Sequence, residues 1–181
     1  FKTRLLEQIA ELRPDFHFVL IGPIVNIDLR SLPQKPNIHY LGKKDYHILP
    51  LYIAGWDCAI MPAEVNEFNR LIGPIKTKEL LASGKPIVST SIPDVIHTFR
   101  DKGLVYFADQ AEHFVESIER AMEERGQGPE WINKADQFLD KKSWNTAFYQ
   151  MAELERKLSM PYKGGYIPAY MDTSLISIGI V

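Results

Sequence analysis

Three residues in the run GPIKTKELLASGKPIVST (residues 73–90) have types and spacing suited to phosphate and sugar chemistry: Lys76, Thr77 and Glu79. Gly73-Pro74 breaks the chain and opens a helix, since proline loses nothing at the first helical position, where its missing N–H would be unpaired anyway. The amino end of a helix presents unpaired backbone N–H groups and the positive end of the dipole, so anions bind there. Gly73 permits close backbone approach. Lys76 adds a mobile cation, and a charge-assisted bond to phosphate is worth roughly 1.5–3 kcal/mol. Glu79, about one turn deeper on the same face, can accept from both hydroxyls of a ribose, as acidic residues do in dinucleotide-binding folds. The arrangement suits a nucleoside diphosphate and points to sugar transfer. As bare spacing, the pair also fits a surface ion pair worth about 0.2–0.5 kcal/mol.

The elements that must position these residues alternate. Strands are expected at Phe16–Ile21, Asn37–Leu41, Asp57–Met61, Pro86–Thr90 and Leu104–Phe107. Helices are expected at Lys2–Leu12, Asp45–Ala54, Pro74–Ser83, Gln110–Glu124, Pro129–Asp140 and Ser143–Ser159, with a short turn near Asp94–Phe99. Leu5, Ile9 and Leu12, widened by Leu6, form an apolar stripe in the first helix; Phe114, Ile118, Ala121 and Met122 do so in the long one. Asp109, with Glu112 three residues on, fits a cap for the long helix. Short apolar strands separated by helices imply a parallel sheet covered on both faces. The fold class is therefore α/β, a doubly wound parallel sheet with extra carboxyl-terminal helices.

At 181 residues the chain can bury the core of one ordinary domain. A net charge of −2 gives no reason to expect nucleic acid. Cys58, the single cysteine, excludes an intrachain disulfide and reads as a small buried hydrophobe. No signal peptide or membrane span is evident, so a soluble cytoplasmic protein is the default. The five histidines form no metal-binding pattern, and no metal or other cofactor is expected. Gly84-Lys85 fails as a phosphate loop because Pro86 follows, leaving Lys85 as a solvated loop residue. No GxGxxG follows any strand, which counts against nicotinamide and flavin.

From Phe16 to Ala111 the chain resembles the nucleotide-sugar-binding half of two-domain glycosyltransferases of the glycosyltransferase-B fold, most of all the bacterial group 1 transferases of surface-polysaccharide assembly. The matching pieces are FHFVLIGP, PNIHYLGKKDYHILPLYIAGWDCAIMP, NEFNRLIGPIKTKELLASGKPIVSTSIPDV and GLVYFADQAEHFVESIERAM. The resemblance implies that Glu79 holds the ribose. It implies that Lys76 and the amides of Ile75 and Thr77, beside Gly73, hold the diphosphate, and that Lys43 in the loop Gly42-Lys43-Lys44 contacts the base. Where many relatives place a second glutamate for the donor sugar, this chain has Leu71, and Glu67 or Arg70 is expected to substitute. The implied donor is a nucleotide sugar, with uridine (UDP) expected before guanosine.

The resemblance further implies a nucleotide-sugar-binding domain over residues 1–159 that lacks its usual first strand, followed by a linker and candidate extra strand over 160–181. Family strand order would leave the sheet vacant between the Phe16 and Asp57 strands, and the apolar run Ser174–Val181 is the expected filler or edge strand. The partner is a missing acceptor-binding domain, without which residues 1–181 are expected to be inactive. Peripheral association of the full-length protein with the inner face of the membrane is also implied. Two alternatives stay open: a sugar-nucleotide epimerase of related fold, and a non-catalytic nucleotide-binding or scaffold module.

Overall fold

The computed structural model describes residues 2–23, 28–66 and 75–140. The chain divides into two units, Phe1–Lys141 and Lys142–Val181, and everything described lies in the first. The expected helix at Ser143–Ser159 and strand at Ser174–Val181 fall outside the described residues.

The described elements run α1 (Thr3–Leu12), β1 (Phe18–Ile21), β2 (Ile38–Gly42), α2 (Leu49–Ala54), β3 (Ala59–Met61), α3 (Ile75–Ala82), β4 (Ile87–Ser89), α4 (Pro93–Phe99), β5 (Val105–Phe107), α5 (Ala111–Gly126) and α6 (Glu130–Asp140). Short 3-10 turns lie at Leu29–Ser31 and Tyr46–Ile48. All pairings are parallel, in two sheets: β1 with β2, and β3–β4–β5. The helix expected from Asp45 starts as a 3-10 turn and becomes α-helical only at Leu49. Pro50 is the reason: without an N–H it is tolerated in a first turn but not further in.

Alternate strand residues face opposite layers. Val88 packs with Phe18 and Ile38 beneath α1 and α5, through Leu6, Ile9, Phe114 and Ile118. Ile87 and Val105 face the other way, against Leu81 of α3, Phe99 of α4 and Trp131 of α6. This two-sided covering makes the unit a Rossmann-like layered fold. Leu12, expected in the α1 stripe, is 46 % exposed, and Ala10 takes the inner place. Leu12 is the last residue of the helix, at the edge of the core.

Direction is fixed by two ties. The Lys2 N–H donates to Pro62 O at 2.7 Å, setting the start of α1 at the carboxyl end of β3. The buried Asn37 amide donates to the carbonyls of Ala10, Arg13 and Phe16, setting the end of α1 at the amino ends of β1 and β2. Both sheets therefore point their carboxyl ends the same way. Between β1 and β3 lies an apolar slot of about 760 Å3, lined among others by Leu6, Phe18, Leu20, Trp56, Cys58 and Ile60.

Two further expectations fail. Asp109 does not cap α5, whose preceding residue, Gln110, makes no side-chain cap. Its carboxylate instead accepts from the Ser91 N–H and Oγ, at 3.0 and 2.5 Å, joining the ends of β4 and β5. Lys85 is not solvated: its ammonium donates to Ala54 O at 2.8 Å and Trp56 O at 2.6 Å, and the residue is 7 % exposed. The ammonium thus satisfies the carbonyl of the last residue of α2, which the helix cannot pair itself, and one just beyond it.

Candidate functional site

The carboxyl ends of the strands form the edge at which open α/β sheets hold ligands. Helix α3 starts at this edge because Thr77, wholly buried, turns its hydroxyl to Met61 Sδ at the end of β3, 3.5 Å away. Its side chain anchors the helix, and only its main-chain N–H remains to meet a ligand. The helix ends where expected: Gly84, at φ +70°, adopts the left-handed turn that β-carbons disfavour, and its N–H donates to Leu81 O. Lys85 N–H then reaches Leu80 O.

On the outer face of α3, Lys76 Nζ donates to Glu79 Oε2 at 3.1 Å. The two ends of this pair differ. The Lys76 side chain is 70 % exposed and can swing, whereas that of Glu79 is 34 % exposed. Glu79 Oε1 is buried and, among the described residues, has no hydrogen-bond partner. A sheltered carboxylate oxygen left unsatisfied costs more than the exposed ion pair returns, which is unusual unless a donor arrives from outside. Lys76 and Glu79 are thus brought together as the spacing predicts, with Ile75, 52 % exposed, opening the turn above them.

Lys43 is exposed just past β2, at the same edge but on the other sheet. Gly73, Glu67 and Arg70 lie outside the described residues. Sequence reading missed the cluster at the ends of β4 and β5, where Asp109 holds Ser91 and faces Lys2 at 3.8 Å. Burial would raise the Asp109 pKa, but the Ser91 bonds and the Lys2 charge outweigh it and hold the carboxyl below its ordinary range. The available signal was the pairing of Ser91 and Asp109 in equivalent positions, each two residues past a strand.

Cys58 is no nucleophile. Burial, helped by the charge of Asp57, pushes its thiol up to about 12, so the thiolate is absent at neutral pH. Among the described residues, no group of three or more His, Cys, Asp or Glu could hold a metal ion, and no helix is long and apolar enough to cross a membrane.

Residues 3–124 match the family model described as "Glycosyl transferases group 1". The chain is 28% identical over 153 residues to a "Putative teichuronic acid biosynthesis glycosyltransferase TuaH" of Bacillus subtilis (strain 168), covering 82% of this chain and 38% of that protein. Its fold is similar to the crystal structure of WaaG, "a glycosyltransferase involved in lipopolysaccharide biosynthesis", with TM-score 0.55 and 14% identity, over 87% of this chain and 43% of WaaG. The chain thus spans less than half the length of each of these relatives.

Proposed function

The chain belongs to the group 1 glycosyl transferases, and we propose that within such an enzyme it holds the nucleotide-sugar donor. The diphosphate sits on the first-turn amides of α3, at Ile75 and Thr77, with Lys76 swinging onto its oxygens. Glu79 Oε1 accepts from the ribose hydroxyls, and Lys43, across the edge, meets the base. The observation that carries this reading is the sheltered, unpartnered Oε1 of Glu79 beside a mobile ammonium at a helix mouth.

In the transfer step the bond from the anomeric carbon to the diphosphate oxygen breaks, a bond from that carbon to the acceptor's nucleophilic atom forms with loss of the acceptor's proton, and negative charge grows on the departing diphosphate. Oriented N–H groups and an ammonium stabilise that charge without reorganising, the role a metal ion plays elsewhere. The acceptor and its binding domain belong to the rest of the full-length protein, consistent with relatives more than twice as long. The base is proposed to be uridine.

Calorimetric titration with UDP tests this. Glu79→Ala and Lys76→Ala should each weaken binding by about 1–3 kcal/mol. Unchanged affinity in both variants would leave a layered domain without this site.

A further inference from the structure

His17, just before β1, and His39, the second residue of β2, are 22 positions apart and form no motif in the sequence. The parallel register sets Val19 opposite His39, so His17 stands diagonally across from His39. Phe18 and Ile38 pack beneath α1 and α5, and alternation along the strands turns His17, Val19 and His39 to the other face. There His17 Nδ1 and His39 Nε2 lie 2.9 Å apart. The ring planes are within 20° of parallel and the ring centres 5.2 Å apart, so the two nitrogens meet in the gap between them. The backbone beneath is well tied. The Asn37 amide donates to Arg13 O and Phe16 O, and Phe18 N–H donates to Asn37 O at 2.8 Å, fastening both sides of His17 to the start of β2. Little backbone freedom is left to lose when a ligand joins the two rings.

We propose that His17 and His39 form a two-imidazole chelate for a divalent transition-metal ion of the zinc, nickel and copper group, which clips the amino ends of β1 and β2 together. Imidazole nitrogen suits these ions. With metal–nitrogen bonds of about 2.0–2.1 Å, nitrogens at the present spacing subtend roughly 90° at the ion, and parting by less than about half an ångström opens this to roughly 110°. Those angles cover octahedral and tetrahedral coordination. As the pair stands, one facing nitrogen carries the proton that the other accepts. On binding, that proton passes through water to the far nitrogen of its own ring, and both rings swivel to aim a lone pair at the ion; no proton is released. Asp15 is held by Arg13, at 2.9 and 2.7 Å, and among the described residues no third metal-binding side chain joins the pair. His17 is exposed, so water takes the remaining positions. The chelate lies at the opposite end of the strands from the proposed donor site, and the inference does not rest on that reading.

Zinc chloride titrated into the protein should saturate at one ion per chain and raise the melting temperature, because an ion that binds only the folded form stabilises it. His17→Gln and His39→Gln should each weaken binding by at least about tenfold, the loss that even an outer-shell partner brings. His113→Gln, on α5, should leave it unchanged, and magnesium, which prefers oxygen ligands, should not compete. In the wild type the ring NMR signals of His17 and His39 should shift together during the titration, a readout that needs no variant. No zinc binding, affinity unchanged in both His17→Gln and His39→Gln, an equal loss in His113→Gln, or shifts spread evenly over all five histidines would each overturn the proposal. UDP titration of the same samples reads the donor site separately.

Discussion

At Glu79 one carboxylate has two different oxygens: Oε2 holds the Lys76 ammonium, and Oε1 is sheltered with no described partner. Glu79→Gln keeps the shape but exchanges a charged acceptor for a weaker amide. It should reduce UDP affinity about tenfold, toward the low end of the roughly 1–3 kcal/mol range for a lost charged hydrogen bond, while leaving the melting temperature almost unchanged. Binding isotherms and a thermal melt on one sample check both. Lys85 predicts the opposite pattern. Lys85→Met strands the carbonyls of Ala54 and Trp56 in a nearly buried site, which should cost about 1–3 kcal/mol in denaturant unfolding with little change in UDP affinity. Chain order shows why one lysine was legible and the other was not. Lys76 and Glu79 are three residues apart on one helix, so spacing alone pairs them. The Lys85 acceptors lie about thirty residues away, reachable only once α2 and β4 are side by side.

Among the elements, every expected strand and helix within the described residues is present, mostly shortened by a residue or two at the ends. The centre of each run carries its apolar pattern in its own residues, while the ends depend on ladder bonds that sequence does not show. The Ser83-Gly84 stop of α3 was legible because a left-handed turn is written in the glycine itself. The role of Asp109 was not, since it needs the ends of β4 and β5 to be adjacent. Asn37→Ala should cost about 1–3 kcal/mol, because the buried Asn37 amide ties three carbonyls, at the end of α1 and before β1, to the start of β2. Chemical denaturation should show a lower midpoint with an unchanged slope.

For the whole molecule, acid is the informative stress. Asp109 is held below its ordinary pKa when folded. A carboxylate so depressed contributes stability that is fully present above its unfolded pKa and is lost as pH falls through the folded one. The stability of the wild-type protein should therefore decline below about pH 5, and Asp109→Asn, less stable at neutral pH, should decline less steeply. Unfolding curves between pH 7 and the acid limit, in both proteins, read the difference. The layered α/β plan was legible because buried parallel strands are uniformly apolar. The division into two sheets was not a matter of composition; it depends on which strands meet.

The most direct measurement of the donor site is a double-mutant cycle on the ligand as well as the protein. UDP and its 2′,3′-dideoxy analogue are titrated onto wild-type protein and onto Glu79→Ala. If Glu79 receives the ribose hydroxyls, removing them should cost the wild type about 1–3 kcal/mol and cost the variant almost nothing. Equal losses in both proteins would place the ribose elsewhere and contradict the account.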